Sequence, residues 1–184
     1  MIAAILAMTE KGVIGNNGDL PWPRIADDMK WFRDVTRGNV VIMGRKTWDS
    51  LPDGPLPKRD NVVITRNTSP LHKAYHSSKR LPMNVIFSSN YPDMLADGTV
   101  NRLPSRATSR ENKIFLMGGA EIYRQGFPYC DRIYLTIVKG DYEGDTVIDN
   151  IWQVLENFTL MEEHDHDECR MEIWERDIEY ADVS

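Results

Sequence analysis

Six short apolar runs set the architecture. Met1-Ile-Ala-Ala-Ile-Leu-Ala-Met8 stays hydrophobic almost without interruption up to Thr9, the pattern of a strand buried on both faces, since a half-exposed strand alternates. Asn39–Met43, Asn61–Thr65, Asn84–Ser88, Lys113–Met117 and Arg132–Lys139 are likewise short, apolar and rich in Val, Ile, Phe or Tyr. Between them lie stretches of helical spacing. From Ala26 to Thr36, Met29, Trp31, Phe32 and Val35 recur near a helical period; Asp27 and Asp28 stand in the first turn, where the dipole favours acids, and Gly38 follows as a stop. Gly44 to Leu51 and Gly119 to Gly126 read as two further short helices. Strands alternating with helices require a mostly parallel central sheet flanked by helices, an α/β fold.

The remaining segments follow from local chemistry. Gly12, Gly15, Asn16, Asn17, Gly18, Pro21 and Pro23 make the 10–24 stretch a surface loop of the kind that acts as a lid. Residues 66–83 and 96–112 are polar and read as loops, with one short helix after Tyr91. Trp152–Glu162 and Arg170–Asp177 look like amphipathic strands joined by a turn at 164–168, which predicts a C-terminal antiparallel hairpin on the sheet edge. No repeat or boundary interrupts the 184 residues, so a single domain over 1–184 is expected.

Composition narrows the function classes. Hydrophobic residues at 41% and charged residues at 27% suit a globular chain, and no run approaches the length of a bilayer span. The net charge of −6 sits in the tail: residues 161–184 hold ten acids and two arginines, leaving 20 basic and 18 acidic residues before them. No nucleic-acid or membrane partner is expected from that distribution, and the chain reads as cytoplasmic. Cys130 and Cys169 form no CxxC pattern and read as two buried or half-buried thiols. His164, His166 and Cys169, with Asp165 and Asp167, invite a metal reading, but their spacing fits no common zinc site and a solvated turn accounts for them; no metal is expected.

Three strand ends carry groups suited to an anion. Met43-Gly-Arg-Lys-Thr47 puts Gly44, Arg45, Lys46 and Thr47 at a helix start, an arrangement that serves a phosphate or an ordinary strand-to-helix turn equally well. Met117-Gly-Gly-Ala-Glu-Ile-Tyr123 offers paired glycines after a strand, as in a pyrophosphate turn, although the GxGxxG fingerprint is absent. Thr65 and Arg66 end another strand and suit a further phosphate. Asp28 stands apart for a different reason: an acid one turn before Phe32 and close to Trp31 can line the mouth of an apolar pocket and take paired hydrogen bonds from an amidine-like heterocycle, whereas an isolated acid pair serves only the helix terminus.

Taken in order, Val13-Ile-Gly15, Asp19-Leu-Pro-Trp22, Asp28-Met-Lys-Trp-Phe32, Val41-Ile-Met-Gly-Arg-Lys-Thr-Trp48, Leu56-Pro57, Met117-Gly-Gly-Ala-Glu-Ile-Tyr123 and Glu143-Gly-Asp-Thr146 resemble the motif set of the dihydrofolate reductases across nearly the whole chain. The departures lie in 66–83 and 96–112. The resemblance implies that fold, and reduction of dihydrofolate by NADPH in a monomer. It selects Asp28 over Asp27 as the carboxylate that binds the pterin, held by Thr136, with Trp22 holding an ordered water. It implies apolar walls from Leu6, Ala7, Phe32, Leu51, Leu56 and Met117, and Arg59 on the α-carboxylate of the glutamyl tail. NADPH would lie along Ala7, Ile14, Gly44, Arg45, Lys46, Thr47, Thr65, Arg66, Gly118, Gly119, Ala120, Glu121 and Tyr123. The 10–24 loop is then the lid and Glu143-Gly-Asp-Thr146 its brace. A riboflavin-pathway type of NADPH reductase sharing this fold is the rival; it requires neither the Asp28–Phe32 pairing nor Arg59. A nucleotide-binding module without chemistry is the non-enzymatic alternative.

Overall fold

The computed structural model of the chain describes residues 1–66, 84–102 and 113–177. Its strands are β1 (Ile2–Thr9), β2 (Val13–Gly15), β3 (Val40–Gly44), β4 (Asp60–Ile64), β5 (Val85–Ser88), β6 (Ile114–Leu116), β7 (Arg132–Val138), β8 (Thr146–Val147), β9 (Phe158–Asp165) and β10 (Cys169–Arg176). The helices are α1 (Ala26–Thr36), α2 (Arg45–Asp49), α3 (Asp93–Ala96), α4 (Ala120–Gly126) and α5 (Ile151–Leu155). Eight strands form one sheet in the order β5-β4-β3-β6-β1-β7-β10-β9, while β2 and β8 pair separately. The six runs read as buried strands are all parallel to one another, and only β10 runs against its neighbours β7 and β9.

The unbroken hydrophobicity of β1 follows from its central place. Ala4, Leu6 and Met8 face one layer with Ile122, Tyr123, Phe127, Ile151 and Leu155; Ala3 and Ile5 face the other with Val41, Met43 and Trp48, where Trp31, Phe32 and Val35 of α1 cover them. Each large side chain so enclosed contributes about 1.5–3 kcal/mol relative to exposure. The chain runs outward from β3 to β5, returns as β6 between β3 and β1, and continues to β7 on the far side. The carboxyl ends of β1, β3 and β6 therefore meet where the winding reverses, the place where open α/β sheets hold ligands.

Three expectations change. The 10–24 stretch is not all loop, because Val13–Gly15 pairs with Thr146–Val147. The stretch beginning at Trp152 is helical up to Leu155: Ile151 and Leu155, four apart, both enter the main core, so a period of 3.6 wins over alternation. The hairpin turn shrinks to His166-Asp167-Glu168, closed by the His166 N–H donating to the Cys169 carbonyl at 2.8 Å. Within α1, Met29 falls at the border of the apolar stripe and is exposed. The helix expected after Tyr91 is α3, and both cysteines are free and buried. Residues 67–83 and 103–112, most of the two polar stretches, lie outside the described residues. No helix among the described residues is long and apolar enough to cross a membrane.

Candidate active site

Asp28 gains its character from what lies beneath α1. Strand β7 sets Thr136 in register with Ala7 of β1 and Met171 of β10, and Thr136 is 1% exposed. Its hydroxyl hydrogen-bonds the Asp28 carboxylate. Burial pushes the Asp28 carboxyl above the usual carboxylate range, and the bond from Thr136 pulls it partly back. A compact apolar floor surrounds the pair: Trp22, Ile25, Val138, Cys169 and Met171 are buried together, with Ala7 and Trp31 packed against them. Trp22 meets Tyr142 edge to face at 6.1 Å. Burial, with the charges of Asp28 and Asp27, raises the Cys169 thiol to about 11, so it belongs to that floor as an inert packing group.

One helix length away stands a buried cation. Arg59 is 6% exposed, and its guanidinium is pinned at three points: Nε donates to Thr36 Oγ1 at 2.7 Å, one terminal nitrogen to the Pro57 carbonyl at 2.8 Å and the other to the Arg33 carbonyl at 3.1 Å. Thr36 Oγ1 in turn donates to the Phe32 carbonyl at 2.6 Å. A guanidinium carries five N–H groups, so two remain. Its carbon lies 5.6 Å from the Phe32 ring centroid. Between Asp28 and Arg59, Phe32, Leu51, Leu56 and Met117 all pack against one core cluster built on Ile5, Val41 and Met43. Leu56 is held by Asn61, fully buried, through two reciprocal 3.0 Å bonds to its backbone. Leu6 departs from the expected wall: its side chain enters the opposite layer, and Ala7 alone of the two reaches the Trp22 cluster.

The two glycine turns converge. The Gly44 N–H donates to the Gly118 carbonyl at 2.7 Å, and a Cβ placed on Gly119 would stand 3.6 Å from Thr47 Oγ1. Gly118 has φ +109°, a backbone conformation that strains any residue with a side chain, and a Cβ there would press on the Tyr123 ring at 3.2 Å. Tyr123 donates its hydroxyl to the Ile5 carbonyl at 2.8 Å, and burial lifts its phenol far above the ordinary value. Helices α2 and α4 have five and seven residues, too few for a long helix dipole. Lys46 is exposed, and Arg45 is half-exposed and paired with Asp49 at 2.5 Å. Glu121 is engaged along its own helix by Arg124 at 2.6 Å. Thr65 is buried with its N–H spent on the Ser88 carbonyl, and Arg66 is exposed. Ile14 and Ala120 are half-buried against the main core cluster.

Over this cleft's edge, β2 is braced by the 143–146 loop. A Cβ on Gly144 would land on the Gly15 carbonyl oxygen and the Val13 side chain, so only glycine permits the approach. The Asn17 N–H donates to Asp145 at 3.0 Å, and with the Thr146 hydroxyl it holds the Asp145 carboxyl below the usual range; Lys46 adds to that. Sequence reasoning did not reach Ile5, Thr36, Asn61 or Tyr142. Nothing in a lone Thr or Asn announces a buried hydrogen-bonding role, which arises only from register and packing.

A family model for dihydrofolate reductase matches residues 1–176. Dihydrofolate reductase of Haemophilus influenzae is 31% identical over 177 residues, covering 94% of this chain and 96% of the relative. Dihydrofolate reductase type 8 of Escherichia coli is 36% identical over 164 residues, covering 88% and 89%. Among solved structures, dihydrofolate reductase from Enterococcus faecalis complexed with NADP(H) and RAB-propyl superposes with a TM-score of 0.70 at 26% identity, over 97% of each chain.

Proposed function

The chain belongs to the dihydrofolate reductase family, and from that premise we propose that it reduces 7,8-dihydrofolate to 5,6,7,8-tetrahydrofolate with NADPH, supporting one-carbon metabolism. One observation carries the reading beyond kinship: a half-buried carboxylate and a buried guanidinium stand at the two ends of α1 with apolar side chains between them. Five to eight helical residues separate Asp28 from the groups that hold Arg59, about 8–12 Å along the axis. That spacing of charges suits a ligand with a basic heterocycle at one end, an aromatic middle and a carboxylate tail. The riboflavin-type alternative asks for neither group.

Asp28 accepts hydrogen bonds from the 2-amino group and N3 of the pterin, and Thr136 fixes its orientation. Because burial disfavours the bare anion, Asp28 gains from a cationic pterin, and the protonated substrate is the better hydride acceptor. It lies at the wrong edge of the ring to reach N5, which takes its proton from water; Trp22 and the floor around it position that water and exclude others. Phe32, Leu51, Leu56 and Met117 hold the aromatic middle, and the two free N–H groups of Arg59 take the α-carboxylate.

The cofactor cleft is the one where Gly44 and Thr47 meet Gly118 and Gly119, joined by the Gly44 N–H to the Gly118 carbonyl, with no side chain on the three glycines to fill the space a phosphate chain would take. Lys46, Arg45 and Arg66 supply positive charge along it, while Ala7, Ile14 and Tyr123 border its inner end. NADPH bound there would supply the hydride that reduces the pterin at C6. Loss of NADPH absorbance on adding dihydrofolate, with NADH as a parallel donor, tests the proposal. NADPH-preferring oxidation blocked by a 2,4-diaminopteridine supports it, and a folded, inactive protein overturns it.

A further inference from the structure

The turn of the C-terminal hairpin lies against the start of α1, beside the proposed pterin carboxylate. His166 Nδ1 stands 3.4 Å from Asp27 Oδ2. Successive helical residues point about 100° apart, so Asp28 turns inward to Thr136 while Asp27 turns outward to the hairpin. The turn itself is tied to the sheet. The Lys139 N–H donates to the Glu168 carbonyl at 2.9 Å, and Lys139 Nζ donates to the His166 carbonyl and pairs with Asp165 at 2.7 Å. Beneath, burial and then the charges of Asp28, Asp27 and Glu168 raise the Cys169 thiol, so the turn and the acid pair surround one floor. The start of α1 is less secure, because its N-cap residue Ile25 offers no side-chain hydrogen bond.

We propose that His166 is a positioning residue for the reductase, acting in its cationic form through Asp27 on Asp28. The inference rests on the folate reading above and adds to it a group that governs substrate affinity from outside the cleft. Adjacent carboxylates oppose each other's ionisation. An imidazolium beside Asp27 answers its charge, which leaves the desolvated Asp28 free to stay ionised toward the pterin, and it ties the uncapped helix start to the sheet through Lys139. A neutral imidazole leaves the Asp27 charge standing next to Asp28 and the helix start untied. The other charged groups around His166 are Lys139 on β7, Asp165 on β9, Arg170 on β10, and Asp167 and Glu168 in the turn. Lys139, with smaller help from Arg170 and His166, holds the Asp165 carboxyl below the usual carboxylate range. Asp165 is thus already engaged, and Asp27 is the carboxylate that α1 presents to the imidazole.

The test replaces His166 by residues of fixed charge, His166→Lys and His166→Gln, in the full chain with NADPH. KM for dihydrofolate is followed from about pH 5.5 to about pH 8.5, the span over which imidazoles change charge. KM of the Gln variant lies about threefold above that of the Lys variant throughout, the size of effect an exposed pair exerts, while kcat is common to both variants and the parent. The parent follows the Lys variant at the acidic end and crosses to the Gln variant at the alkaline end. In an Asp27→Asn background the three curves coincide, because the partner through which residue 166 acts has lost its charge. Three results overturn the inference while leaving the reductase intact: no gap between the Lys and Gln variants, a parent that never crosses from one to the other, or a gap that survives Asp27→Asn. Absence of turnover in the parent overturns the folate reading and this role of His166 with it.

Discussion

The proposed substrate groove and the proposed lid brace are built by opposite means. In the groove, Thr136, Thr36, Asn61 and Arg59 are all within 6% of full burial, and Thr36, Asn61 and Arg59 are tied to one another or to nearby backbone at 2.6–3.1 Å. In the brace, Asn17, Asp145 and the Lys11–Asp141 pair at 2.6 Å are solvent-exposed, and the interior ties are backbone ones: β2 pairs with β8, the Ile148 N–H donates to the Gly12 carbonyl, and Gly144 closes on Gly15. Breaking a contact in the groove strands a polar group in low dielectric, at a cost of about 1–3 kcal/mol, whereas water replaces a partner lost from the brace. The groove is therefore fixed before ligand arrives, and the brace can open at little cost, as a lid must.

The contrast can be broken at four points. Asp28→Asn has the largest effect: turnover at neutral pH falls about 100-fold or more, while NADPH binding is retained. Stability moves the other way. The folded Asp28 carboxyl titrates above its ordinary value, so the fold favours its acid form. That preference is complete below the ordinary carboxylate range and is lost as pH rises through the raised pKa, so ionised Asp28 opposes folding at neutral pH. The ligand-free variant should melt at the same temperature as the parent or higher at neutral pH, by calorimetry; a lower melting point breaks the account of Asp28 as a desolvated anion.

Gly144→Ala comes next. The added methyl meets the Gly15 carbonyl and displaces β2, and local overpacking of about 1–3 kcal/mol should lower kcat/KM about tenfold without altering unfolding of the main sheet by hydrogen exchange. If the main sheet loosens as well, lid and groove are not separate units. Thr36→Val should raise KM for dihydrofolate about threefold and lower unfolding free energy by about 1–3 kcal/mol in urea titration, since Arg59 Nε loses its acceptor in a buried setting. An unchanged KM would show that Pro57 and Arg33 suffice to aim Arg59. Asp145→Asn is the mildest: the Asn17 contact is exposed, so kcat should fall about two- to threefold and the melting temperature stay within error.

Legibility in the sequence tracks the same division. The strands of the sheet were readable because each lies between two covered layers, so nearly every residue from Ala3 to Leu6 had to be apolar. Asp28 stood out as a candidate because Trp31 and Phe32 follow it within one turn, and the family resemblance chose it over Asp27. The second partner of each polar group was not: Thr136 sits under Asp28 only because β7 aligns with Ala7, and Thr36 meets Arg59 across 23 residues of chain. Leu6 was expected beside Ala7, and the two-residue period of a strand sends it to the opposite layer. The helix at Ile151–Leu155 was misread because five residues fit either period until the core chooses one.

Sequence alone determined the parallel α/β architecture and the glycine turns at the strand ends, because burial on two faces and close backbone approach demand particular residue types, whereas Arg59 and the choice of Asp28 over Asp27 came only from the family resemblance. Tertiary structure alone decided which hydroxyl holds Asp28, how Arg59 is aimed, that β2 closes on β8, and that Arg33 and Arg37 stand near the Arg59 guanidinium. Those are relations between segments distant in the chain, and they exist only once packing has excluded water and left each buried polar group a single partner to find.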